Sequence, residues 1–181
     1  MHRDADHLTA GLDHVRAAPG DDGRLELIVR RPEIGAREVV ETAELALDEG
    51  VVGDSWNRRW SRRTADGSPH PDMQLNIINA RFSALIAQDE EHRALAGDQL
   101  HVDLDLSPDN LPPGTRLAIG EAVIVVTDQP HTGCAKFSLR FGADVRRFVN
   151  GDAGTELRLR GINAKVVQPG TIAAGDAIKK C

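Results

Sequence analysis

From Gln99 to its last residue, the chain alternates apolar and polar side chains in short runs broken by turn-forming residues. This pattern constrains the fold more than any other feature. QLHVDLDLS sets Leu100, Val102, Leu104 and Leu106 at a spacing of two, the periodicity of a strand with one buried face. NLPPGTRLAIG and EAVIVVTD follow as consecutive strands, the first introduced by a Pro-Pro-Gly turn. LRLRGINAKVVQPGTIAAGDAIKK reads as two more strands around Pro169-Gly170. Upstream, RLELIVRRP alternates through Leu25, Leu27 and Val29, and MQLNIINA is a further strand. Many short strands separated by turn signals predict a mainly β fold with a few helices, built as a closed or nearly closed β-barrel.

The 181 residues suffice for one domain with a real core. Residues 1–22 are a polar N-terminal extension for which a loose tail and a short helix, LTAGLDHVRAA, are both open; residues 23–181 form the barrel domain. REVVETAELAL fits strand or helix equally. ARFSALIAQDEEHRAL reads as a helix capped by Asn79, and GADVRRFVNG as a short helix. With two Trp, four Phe and no Tyr, the core has to come from Val, Leu, Ile and Ala. The net charge of −6 argues against a dedicated nucleic-acid binder. No apolar run approaches the ~18 residues of a membrane span, and MHRDADHLTAGLDHVRAAPG lacks a signal-peptide core. A cytoplasmic protein without a membrane partner is expected.

The chemistry-bearing residues gather in PHTGCAKFSLRFG, 130–142. Cys134 follows a strand and a turn, which predicts a place where a barrel strand opens into a loop. Nearby cations favour the thiolate, the nucleophilic and soft-metal-ligating form, and Lys136 and Arg140 are at hand. A buried small hydrophobe is the competing role for a free cysteine. His131 and Cys134 have a chelating spacing, yet zinc needs four ligands and no second clustered pair exists. The long loop SWNRRWSRRTADGSPHPD carries Arg58, Arg59, Arg62 and Arg63 among Trp56 and Trp60. Guanidinium groups bind phosphate in a fork and indoles stack on flat rings; a solvated loop has the same composition.

In order along the chain stand Gly50-Val51-Val52-Gly53-Asp54, Gln74-Leu75-Asn76-Ile77, Pro113-Gly114-Thr115-Arg116-Leu117 and Ile119-Gly120-Glu121-Ala122. Cys134 with Lys136, Arg140-Phe141-Gly142, Arg160-Gly161-Ile162, Pro169-Gly170-Thr171 and Gly175-Asp176 complete the set. This ordered set resembles the MOSC domain, named for the C-terminal domain of molybdenum cofactor sulfurase, over roughly residues 24 to 180. The resemblance implies a β-barrel and a role for Cys134 as ligand to the molybdenum of a pyranopterin cofactor; His131, three residues upstream, is a catalytic candidate from its position. Lys136, Arg140, Arg160, Arg58 and Arg59 become candidate contacts to that cofactor. No aminotransferase-like domain fits in 181 residues, so no pyridoxal phosphate is expected. Three functions follow. The first is a molybdenum-cofactor reductase of N-hydroxylated or N-oxide compounds, served by a small-molecule substrate and a redox protein. The second is a carrier of cofactor sulfur as a Cys134 persulfide, supplied by a sulfur-donor protein. The third is a non-catalytic module that binds an anionic ligand through the Arg-rich loop 57–63.

Overall fold

The computed structural model describes residues 3–181. Seven strands close a barrel in the order β1 (Gly23–Arg30), β11 (Ala177–Lys180), β7 (Arg116–Ile119), β8 (Ala122–Val126), β9 (Ile162–Gln168), β5 (Leu75–Asn79), β6 (Leu100–Asp103) and back to β1. The seam is antiparallel, with Gly23 opposite Ile178 and Arg24 opposite Ala177. Of these neighbours only β5 and β6 run parallel, and a parallel pair needs a crossover. Helices α2 (Ala80–Ile86) and α3 (Glu90–Ala94) supply it. The single helix expected from Ala80 onward is therefore two. Asn79 caps the first by accepting from the Phe82 amide at 2.9 Å, and Asp89 caps the second through the His92 amide.

REVVETAELAL resolves as β2 (Glu38–Val40), which pairs antiparallel with the end of β1, and β3 (Thr42–Ala46). A small second sheet joins β10 (Gly170–Ala173), β3 and β4 (Gly50–Val51). Three strands, not two, thus follow Arg160. The hydrophobic core of the barrel is wholly aliphatic, with Leu25, Ile28, Leu75, Ile77, Leu100 and Ile124 among its sealed residues. All four phenylalanines lie instead in a helical layer outside it, where Phe82, Phe137 and Phe141 pack on Ile78 and Phe148 lies at the edge.

That layer contains α1 (Ala5–Arg16), α4 (Ala135–Phe141), α5 (Ala143–Val149) and α6 (Asp152–Glu156). In α1, Leu8, Leu12 and Val15 are buried against α2 and α5. Gly161 shows what holds the layer's edge to the sheet: its φ is +105°, and a Cβ there would stand 2.1 Å from the Ile77 carbonyl oxygen. Only glycine lets β9 start that close to β5.

Candidate functional site

The polar residues of the site come from chain positions that no local motif connects. Arg31 directly follows β1 and is buried, as is Asp54 just beyond β4. The carboxylate accepts from Arg31 Nε at 2.7 Å and Nη2 at 2.9 Å, and from the Arg31 and Trp56 amides at 3.0 and 2.8 Å. Arg31 Nη1 donates to Asn76 Oδ1 at 2.7 Å and to the Gly97 carbonyl at 2.8 Å. Because that arginine claims the oxygen, Asn76 must turn its Nδ2 the other way, where it donates to Asn163 Oδ1 at 2.7 Å and lies 3.4 Å from His131 Nδ1. Asn76 and Asn163 are directly paired across β5 and β9.

His131 Nε2 stands 3.3 Å from Oδ1 of the fully buried Asp98. With an amide donor at Nδ1 and a carboxylate at Nε2, the network selects the tautomer that carries its proton on Nε2. Burial, then the positive charges of Arg160 and Arg31, holds the ring well below the usual histidine range, so it is neutral. Both nitrogens face protein groups. His131 is thus held at both ring nitrogens within the network. Burial pushes the Asp98 carboxyl up, against the opposing pull of Arg160. Arg160 Nη1 donates to both Asp98 oxygens, at 2.6 and 2.9 Å, and its guanidinium lies 4.7 Å from the centre of the Phe137 ring.

Cys134 is free and exposed, and it is not at a strand end. It occupies the N-cap of helix α4, well beyond the end of β8, and makes no side-chain capping bond. The reason α4 forms lies inward: Phe137 and Phe141, four apart, meet with ring centres 5.0 Å apart, and Phe141 stacks on His92 at 4.8 Å. That register turns Lys136 and Arg140 toward a cleft of about 780 Å³ beside the segment 32–37 and the first turn of the long loop.

The cleft brings together Lys136, Arg140, Arg58 and Arg59, drawn from opposite halves of the sequence, and adds Arg37 and the exposed indole of Trp60. Glu33 is the one carboxylate in its lining. Burial, then neighbouring cations led by Arg140, pushes Arg37 down to about 10; burial, then Arg31, does the same to Arg59. Arg37 Nε is buried with no partner among the described residues. Arg160 does not join this group. It lies with His131 on a separate cavity, and its charge is already met by Asp98. Among the described residues, no three His, Cys, Asp or Glu side chains group as a metal site.

A family model, the MOSC domain, matches residues 54–179, more than half of the chain. The chain belongs to the MOSC family. Among solved structures, this MOSC domain is similar to the YuaD protein of Bacillus subtilis, with a TM-score of 0.62 and 16% identity over 87% of this chain and 94% of that one. It is also similar to YiiM of Escherichia coli, with a TM-score of 0.55 and 20% identity over 87% of this chain and 69% of that one. At such identities the likeness shows the fold alone. No curated protein matches the sequence.

Of the residues now seen in the MOSC site, Arg31, Asp98 and Asn163 escaped the sequence reading, and Asp54 and Asn76 entered it only as motif letters. Asp54 beside Gly53 was the one usable signal, because a carboxylate in a tight turn near a strand end is well placed to hold a buried arginine. Among the described residues, no helix is long and apolar enough to cross a membrane.

Proposed function

We propose that this MOSC domain binds a molybdenum–pyranopterin cofactor in the cationic cleft, with Cys134 as the protein's thiolate ligand, and reduces N-hydroxylated or N-oxide nitrogen. One observation carries the reading: the helix that begins at Cys134 contributes Lys136 and Arg140 to a cleft holding five cations and one carboxylate. The donor set fits the group. Arg37 Nε is a buried donor without a protein partner, as expected where an anion belongs. Arg37, Arg59 and Arg140 would hold the cofactor's phosphate, Trp60 offers a flat face to its ring system, and the exposed thiol, two residues before Lys136 and outside the cleft's lining, is a soft donor open to solvent. When bound, the molybdenum supplies two-electron redox chemistry.

The chain's own residues prepare that chemistry. The Arg31–Asp54 pair ties the end of β1 to the turn after β4, and the Asn76–Asn163 bridge joins β5 to β9. The imidazole of His131 anchors the segment that leads to Cys134, and Asn150 secures it from the other side. There the Gly133 amide donates to Asn150 Oδ1 at 2.8 Å, and Asn150 Nδ2 donates to the Gly133 carbonyl at 3.1 Å. The thiol therefore sits on a short tether held at both ends, a condition for reproducible ligation.

The test is metal and pterin analysis of protein made in cofactor-replete cells, wild type beside Cys134→Ser. Stoichiometric molybdenum and pterin in the wild type, with metal reduced at least tenfold in the variant, is the expected result. Neither component in the wild type, with no gain on reconstitution, refutes it. The exposure of Cys134 also favours sulfur carriage. A mass gain of one sulfur atom on treatment with a cysteine desulfurase and cysteine, absent in Cys134→Ser, would establish that role.

A further inference from the structure

The cavity that takes up His131 and Arg160 is distinct from the cleft and shares no lining residue with it. It has a volume of about 600 Å³ and is lined by the segment 130–133, between the end of β8, helix α5 and the turn before β9. Three arginines reach it: Arg146 from α5, and Arg158 and Arg160 from the turn between α6 and β9. Asp128 is the one carboxylate in its lining, and it is exposed, with its Oδ1 taken by the Gln129 amide at 2.9 Å.

The three guanidinium groups are not equally free. Arg160, over nine-tenths buried, is neutralised by Asp98, although its Nε has no partner among the described residues. Among the described residues, Arg146 commits only Nε, to the Gly133 carbonyl at 3.2 Å, and Arg158 only Nη1, to the Leu111 carbonyl at 2.7 Å. Each is thereby oriented through one N–H and keeps others uncommitted. Arg158 also holds φ at +45°, a left-handed conformation that a non-glycine residue adopts only at a cost. The rest of the wall mixes hydroxyls and amides (Thr132, Asn150, Thr155) with apolar Pro108, Val149 and Ile162.

We infer that this cavity binds a small organic oxyanion, its charged end on Arg146 and Arg158 and its body against Val149 and Ile162. Two arginines oriented by single anchoring bonds match the planar, two-oxygen geometry of a carboxylate or phosphate. The volume exceeds what a bare ion needs and suits a small molecule. Gly133 forms part of the wall, so a ligand here lies behind the residue that precedes Cys134.

Benzoate and inorganic phosphate, titrated separately into the purified chain, test the site by amide NMR. Either anion should move the Gly133 and Gly161 resonances saturably, and the tighter of the two tells a carboxylate ligand from a phosphate one. Arg146→Gln should weaken that binding about tenfold or more. Arg147→Gln makes the same charge change on the same helix but lies outside the cavity, and it should leave the affinity unchanged. Arg158→Gln should act like Arg146→Gln; if it unfolds, the comparison of 146 with 147 still decides. Cys134→Ser should bind both probes normally, which separates this site from the cofactor reading. The inference is overturned by three results: no saturable shift with either anion, shifts confined to the Trp60 indole in the cleft, or equal losses in Arg146→Gln and Arg147→Gln.

Discussion

His101 has no exposed surface, and its environment turns a local burial into a property of the whole fold. Its Nδ1 is 2.9 Å from Ser83 Oγ, while Nε2 has no partner among the described residues. Burial, then the charges of Arg93 and Arg160, pushes the ring down to about 3. Unfolded, it titrates near its ordinary value of 6.5. Between those two values the unfolded chain takes up a proton that the fold refuses. Stability from this residue is therefore complete above pH 6.5 and is lost as pH falls toward 3. His131 acts in the same sense and the raised Asp98 in the opposite one, so only a variant isolates His101. In His101→Asn, whose amide reaches Ser83 in place of Nδ1, the loss of unfolding free energy between pH 7 and 5 should shrink by about 2 kcal/mol. Denaturant titration at both pH values measures it. An unchanged loss would assign the acid sensitivity elsewhere.

At the scale of elements, α1 shows how a stretch with weak sequence signals can be structural. Asp4 caps it through the His7 amide at 2.9 Å, and Leu8, Leu12 and Val15, spaced for one helical face, are buried against α2 and α5. Leu8→Ala should cost about 2–5 kcal/mol, as for other fully buried leucines, and urea unfolding would show it. A loss below about 0.5 kcal/mol would mean that the helix does not belong to the core. The strands were legible because period-two alternation survives in β1, β7 and β8, where burial alternates along the strand. Helix α4 was not: it is seven residues long, begins at a cysteine that makes no capping bond, and owes its helicity to Phe137 and Phe141 meeting a core assembled from elsewhere. The Arg31–Asp54–Asn76–Asn163–His131–Asp98 network left no local trace either. Its members are scattered from residue 31 to 163 and meet only when β5 pairs with β9 and the barrel closes. The cationic cleft was half visible, since Arg58 and Arg59 stood out in the loop and Lys136 and Arg140 beside the cysteine, while nothing in either stretch joined them.

For the molecule as a whole, charge is distributed against its own average. The chain carries −6, yet one cleft holds five cations with a single carboxylate among them. Like charges that share a desolvated wall repel, and the lowered values of Arg37 and Arg59 register that cost, since at neutral pH both remain charged in the fold. Such an arrangement is retained where an anion repays it on binding. Arg37→Gln should therefore move stability and binding in opposite directions. Removing one cation relieves its neighbours and ends the burial of an unpartnered Nε, so the thermal midpoint of the anion-free protein should rise by about 1–4 °C. Cofactor retention, or phosphate binding read from the Trp60 indole, should fall, and the wild type should lose its advantage as salt screens the cleft. Calorimetry without added anion, paired with the binding titration at two salt concentrations, measures both halves. A variant that is less stable and binds equally well would make Arg37 a structural strut and remove the cleft's claim to an anion.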